Sequence, residues 1–192
     1  MLSLNSTTAV KTQRPERIIQ FGEGNFLRAF IDWIVWKMDL HTDFNASVVI
    51  VQPIAQGMAE RLEAQDCLYH VNLQGLCDGQ PVNSLELIDS VSRTVNPYAD
   101  HASYLALATQ PDIRFVISNT TEAGIAFDPE CHLGDTPPSS YPAKLTQLLY
   151  HRFRAFGGDQ DKGLIIMPCE LIFQNGHHLV DCIRKYIELW QK

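Results

Sequence analysis

An open, doubly wound, mostly parallel α/β sheet with one antiparallel hairpin excursion is the fold that these 192 residues predict. Three observations carry it. Apolar runs at 17–21, 47–52, 113–118 and 164–167 have the unbroken hydrophobic character of strands buried on both faces. Helix-compatible segments at 25–40, 100–109, from Ser140 onward and 177–190 alternate with them, the order expected of a parallel sheet. The first strand also runs straight into Gly22-Glu23-Gly24 and then a helix, the opening of a nucleotide-binding βαβ unit.

Residues 1–14 are polar and are expected to lie loosely on the surface, ahead of a Rossmann-like dinucleotide-binding domain over 15–192. After the strand at 17–21, Gly22 permits the tight turn and Gly24 lets a diphosphate approach the backbone. Free N–H groups and the dipole of the following helix then favour negative charge. Leu27 replaces the third glycine of G-x-G-x-x-G, so the first helical turn is expected to pack differently against the strand. The candidate cofactor-binding residues are Ile19, Gln20, Phe21, Gly22, Glu23, Gly24, Asn25, Phe26, Leu27, Arg28, Ala29 and Phe30. The helix at 25–40 is apolar on nearly every side, so the sheet, neighbouring helices or a second domain must cover it. Arg28 and Asp32, four apart, are placed to pair.

The strand at 47–52 ends on Gln52, where an NAD site commonly carries an acidic residue for the adenosine ribose. An amide can still bond the ribose but does not repel a 2′-phosphate, so the residues leave NAD and NADP open. Residues 53–66 form a loop with some helix. Two strands, 68–76 and 82–95, are joined through Cys77-Asp78-Gly79, a good hairpin signal. Pro111 ends the helix at 100–109. Asn119 leaves the carboxyl end of the strand at 113–118, where open α/β sheets bind ligands. It offers a donor and an acceptor to the nicotinamide side of a cofactor, or else caps the strand as a polar turn residue. Glu122 is expected to be a solvated loop carboxylate. An irregular loop covers 127–141, and Ser140 with Pro142 marks the next helix start, which Gly157-Gly158 ends. Leu145, Leu148, Leu149, Phe153 and Phe156 form its core stripe. Glu170 follows the strand at 164–167, within reach of a substrate carboxylate or hydroxyl. Asn175-Gly176 precedes the closing helix at 177–190.

Composition narrows the classes. A 45% hydrophobic content in 192 residues suits one domain with a real core. The net charge of -7 argues against a nucleic-acid surface, and no apolar run approaches the ~20 residues that cross a bilayer. Residues 1–12 lack a signal-peptide core. The 5 cysteines include no C-x-x-C pair, so free thiols in a reducing cytoplasm are expected. The adjacent His177 and His178 point about 100° apart on a helix, and no carboxylate or His cluster completes a metal ligand set. There is no G-x-S-x-G elbow, Walker lysine or Cys/His nucleophile signature.

G-E-G-N-F-L-R-A-F, from Gly22 to Phe30, resembles the G-x-G-x-F-x-R signature of the mannitol dehydrogenase family of polyol dehydrogenases. Further matches at F-V-I-S-N-T-T-E-A-G-I (115–125), S-Y-P-A-K-L-T (140–146) and P-C-E-L-I (168–172) extend the likeness over nearly all of the chain. The resemblance implies NAD as cofactor and reversible hydride transfer between NADH and the keto group of a sugar acid. It implies a place as the N-terminal domain only, since the family continues into a large helical domain. That domain carries the proton-moving lysine and nearby Asn and His, so no catalytic residue is expected in this chain. The chain alone is expected to be truncated and inactive, with the sugar acid and the absent helical domain as its partners. Polyol-oxidising relatives carry C-D-N before a downstream Asn-Gly. Here Cys169-Glu170-Leu171 precedes Asn175-Gly176, which agrees better with a hexuronate-reducing branch. The alternatives are another polyol or sugar-acid dehydrogenase, or a catalytically empty dinucleotide-binding module.

Overall fold

The computed structural model describes residues 4–121 and 123–191, so Glu122 lies outside the described residues. Strands β1 (Glu16–Phe21), β2 (Ser47–Val51), β5 (Val91–Val95), β6 (Phe115–Ser118) and β7 (Ile165–Pro168) form one parallel sheet in the order β5-β2-β1-β6-β7. The chain starts in the middle, works outward on one side, and returns to build the other. The reversal falls between β1 and β6, whose carboxyl ends therefore open a crevice.

Alternation along each strand sorts side chains to two cores. Ile19, Phe21, Val49, Val51 and Val116 face one side, where Tyr104, Leu145, Leu148 and Leu179 cover them. These covering residues come from α3 (His101–Ala106), α4 (Tyr141–Ala155) and α5 (Asn175–Trp190). Ile18, Val48, Ile50 and Ile117 face the other side, under Leu27 and Val35 of α1 (Asn25–His41) and Leu62 of α2 (Ala59–Glu63). Burial on both faces is why β2 is apolar at Val48, Val49, Ile50 and Val51 without alternation. Ser140 caps α4 by accepting from the Ala143 N–H at 3.2 Å, and Arg152 in its last turn holds four backbone carbonyls: Lys162 at 2.6 Å, Gln110 at 2.9 Å, Ile113 at 2.9 Å and Ala108 at 3.3 Å.

The hairpin pairs β3 (Tyr69–Cys77) with β4 (Gln80–Ile88) through Asp78 and Gly79, both at positive φ. It is a separate two-stranded sheet, and it supplies part of the cover that α1 requires. Trp33 Nε1 and Lys37 Nζ of α1 both donate to the Glu86 carboxylate on β4.

Two expectations change. The run 82–95 is not one strand: it divides at Asp89-Ser90, and its second half joins the parallel sheet beside β2. No glycine or proline marks that break, because it is made by tertiary partners. Asp89 pairs with Arg14 at 3.2 Å, while Ser90 Oγ donates to the Asp32 carbonyl at 2.8 Å. The segment ahead of β1 is also held down. Lys11 Nζ donates to the carbonyls of Asp66 and Ser92 at 2.7 and 2.6 Å, and Arg14 also meets Asp39 at 3.1 Å. No helix among the described residues is long and apolar enough to cross a membrane.

Candidate functional site

The glycine turn sits where three strands end together. Gly22 N–H donates to the Val51 carbonyl at 3.1 Å, and Asn119 N–H to the Phe21 carbonyl at 3.0 Å. Gly22 has φ +119°, and a Cβ there would stand 2.7 Å from the Asn119 carbonyl oxygen. Both the backbone angle and this contact require glycine. Gly22→Ala is therefore expected to lower stability by about 1–2 kcal/mol, read by denaturant melts. An unchanged midpoint would show that the turn relaxes freely.

Gly24 is under neither constraint. It is the N-cap of α1 at φ −68° and ψ 163°, no side chain caps the turn, and the first turn holds no acidic residue. Beyond its chain neighbours, no heavy atom lies within 4 Å of where its Cβ would be. Unclaimed first-turn N–H groups facing open space fit a diphosphate. Leu27, in place of the third glycine, is 1% exposed, and its Cδ1 lies 3.4 Å from the Cβ position of Gly22.

Beneath the turn is a buried polar cluster. Gln20 Nε2 donates to the Gly22 carbonyl at 3.1 Å and faces Asp32 Oδ2 at 3.5 Å, to which the Tyr69 hydroxyl donates at 2.8 Å. Burial pushes the Asp32 carboxyl up to about 7, against the opposing pull of Tyr69, Gln20 and Arg28. Arg28 makes no hydrogen-bonded pair with Asp32. Its Nε donates to the Glu23 carbonyl at 3.0 Å, and its guanidinium lies 5.3 Å from the Tyr69 ring centre.

At the end of β2, Gln52 is fully committed to the loop that follows. Its Nε2 donates to the Ile54 and Ala55 carbonyls at 2.9 and 3.1 Å, and its Oε1 accepts from Ala59 N–H at 3.3 Å. The amide that the sequence offers to a ribose thus already has its Nε2 hydrogens held by the loop. Glu23 lies beside it, buried, with Oε1 accepting from Met58 N–H at 3.0 Å.

At the ends of β6 and β7, Asn119 Nδ2 donates to the Cys169 carbonyl at 2.8 Å. Glu170 is buried and clasps β6: it accepts from Ser118 Oγ at 3.1 Å and from both N–H and Oγ1 of Thr120 at 3.0 Å. An open cleft of 520 Å³ is lined by Asn119, Thr121, Ala123, Glu170 and Leu171. The structure thus brings Gly22 and Asn119 together. It places Ile19, Gln20, Phe21 and Leu27 below the turn as buried supports, and leaves Gly24, Asn25, Phe26, Ala29 and Phe30 facing outward. Thr120 and Gly57 escaped sequence reasoning. A loop glycine carries no signal of what approaches it, although a Cβ on Gly57 would meet Glu23 Oε1 at 2.1 Å. Among the described residues, no group of three or more His, Cys, Asp or Glu side chains is arranged to hold a metal ion.

The family model described as the mannitol dehydrogenase Rossmann domain matches residues 16–191. The altronate oxidoreductase of Phocaeicola vulgatus is 68% identical over 190 residues, covering 99% of this chain and 40% of that protein. Its counterpart in Bacteroides thetaiotaomicron is 67% identical over the same shares, and that of Bacillus subtilis is 49% identical over 94% of this chain and 38% of that one. The chain thus spans about 40% of the length of these curated relatives. Among solved structures, Pseudomonas fluorescens mannitol 2-dehydrogenase, in a ternary complex with NAD and D-mannitol, shares the fold with a TM-score of 0.80 at 19% identity. It covers 98% of this chain and 42% of that chain. A substrate-free D-sorbitol dehydrogenase follows with a TM-score of 0.76 at 22% identity, covering 97% of this chain and 43% of that chain. With its strand order, its glycine turn and a family match running through nearly its whole length, the chain belongs to the mannitol dehydrogenase family, as that family's Rossmann domain.

Proposed function

We propose that residues 15–192 are the NAD-binding part of an oxidoreductase that interconverts a keto-hexuronate, tagaturonate, and its aldonate, altronate. The observation carrying this reading is the 68% identity to an altronate oxidoreductase, sustained over 99% of the chain. NAD is supported by the complex of the Pseudomonas fluorescens mannitol 2-dehydrogenase with NAD and by the fit of the Gly24 turn to a diphosphate.

Bound NADH supplies the hydride that reduces the keto carbon, while the carbonyl oxygen takes up a proton. This chain's residues bind and orient. The first-turn N–H groups of α1 hold the diphosphate, and Gly22 lets the turn lie against Asn119. The Asn119 amide is steadied by Cys169, which leaves its Oδ1 as an acceptor for the nicotinamide carboxamide. The sugar acid lies over the cleft between Asn119 and Leu171, whose side chain is 86% exposed. Glu170 is a support here, since both of its oxygens accept from β6 and from Thr120 just beyond it. The proton comes from a second, helical domain, which is the chain's partner along with the substrate. The free thiols of Cys67, Cys131, Cys169 and Cys182 suit a cytoplasmic setting.

The test joins this chain to the remaining part of the Phocaeicola vulgatus relative and follows NADH consumption with tagaturonate. The joined protein is expected to turn over, with the chain alone at least ~10²–10⁴-fold slower because it lacks acid–base help. Robust turnover by the short chain would refute the division of labour. Turnover of a polyol but not of the hexuronate pair would refute the substrate.

A further inference from the structure

We infer that Glu23, on the glycine turn itself, is the residue that selects NAD over NADP. The inference rests on the dinucleotide site proposed above. Sheets of this kind ordinarily read the adenosine ribose with an acidic side chain at the end of the second strand, which accepts from the ribose hydroxyls. A negative charge there also repels a 2′-phosphate. Here the position is held by Gln52, which carries no charge and whose amide is bonded at both ends to residues 54, 55 and 59.

The charge arrives from another element. Glu23 leaves the turn towards the end of β2, and its Oε1 accepts from Met58 N–H at 3.0 Å. A Cβ on Gly57 would stand 2.1 Å from Glu23 Oε1 and 2.5 Å from Gln52 Cδ, so the carboxylate and the committed amide share one corner, against the face of Gly57. No described residue donates to Oε2. One oxygen therefore serves the fold, and the other keeps an acceptor and a negative charge where the ribose is read. The adjoining cleft, bordered by Met58, also carries Arg28 and Arg61. Those cations would attract an additional phosphate, so the carboxylate decides the sign of the preference.

The test titrates the 192-residue chain by calorimetry with ADP-ribose and with 2′-phospho-ADP-ribose. These probes carry the adenosine half alone and need neither hydride chemistry nor a second domain. Wild type is expected to bind ADP-ribose at least ~10-fold more tightly than its 2′-phosphorylated form. Glu23→Gln can still accept from Met58 N–H, and it is expected to erase or invert that ratio with the circular dichroism spectrum unchanged. Glu23→Ala supplies the same comparison if the glutamine variant folds poorly. A merely structural role would weaken both probes together. If the ratio stays at its wild-type value in a folded variant, Glu23 selects nothing, while the dinucleotide site stands. If wild type binds neither probe, the site itself is wrong and this inference falls with it.

Discussion

Gly24→Val is expected to remove dinucleotide binding while leaving the fold in place. The backbone at Gly24, φ −68° and ψ 163°, is extended and open to any residue, and β-branched side chains favour it. Beyond its chain neighbours, nothing lies within 4 Å of the Cβ position, so the branch point of a valine there is free of contact with the rest of the fold. Its cost to the fold is limited to the exchange of a tolerated N-cap for a poor one, about 1 kcal/mol. The cost to the ligand is much larger. The valine methyl groups would stand in front of the uncapped first turn of α1, in the volume a diphosphate needs to reach the N–H groups. A loss of at least ~100-fold in NADH affinity, about 2.7 kcal/mol, is expected in calorimetry beside a wild-type circular dichroism spectrum. Undiminished affinity in a folded variant would place the diphosphate somewhere else. Gly22→Ala makes the contrast, since its penalty falls on folding through φ +119° and the Asn119 carbonyl.

The strand, the glycine turn and the helix around Gly22 and Gly24 are legible in the sequence, because all three are local signals. An apolar run, two glycines and a helix-compatible stretch need no distant partner to be recognised. Val91–Val95 was hidden for the opposite reason. No glycine or proline interrupts the residues from 82 to 95, and the break at Asp89-Ser90 is held by distant partners: Arg14 and Thr12 on Asp89, and the Asp32 carbonyl on Ser90. Gln52 and Glu170 show the same limit at the site. Their positions at strand ends were legible, but their polar atoms are consumed by loop backbone and by Ser118 and Thr120. Glu23 was legible only as the middle of G-E-G, a backbone motif. Its side chain acquires meaning when Gly57 and Met58 come to face it.

Asp32→Asn is expected to stabilise the chain at alkaline pH, by an amount that vanishes in acid. On the sequence Asp32 was placed to pair with Arg28; in the fold it is fully buried and accepts from Tyr69 and Gln20. Asp32 Oδ1 and Gln20 Oε1 have no partner. Two orphaned oxygens in one buried cluster need a donor, and a proton on Asp32 provides one. Burial is the main reason that its carboxyl is pushed from 3.8 to about 7. The sign follows directly. Between those values the folded chain holds a proton that the unfolded chain has lost, so stability falls as pH rises through the window and levels off above it. Three units at ~1.4 kcal/mol each bound the penalty near 4 kcal/mol, and relaxation of the site brings the expected range to about 2–4 kcal/mol at pH 8. Asparagine is nearly isosteric and stays neutral. Its Oδ1 can still accept from the Tyr69 hydroxyl, and its Nδ2 offers the missing donor to Gln20, which in turn bonds the Gly22 carbonyl. Urea melts of both proteins across pH 4 to 8 check it. Other titrating groups shift both curves alike, so the difference between them isolates Asp32. A difference that stays flat across that range would mean that Asp32 is not the group carrying the buried proton.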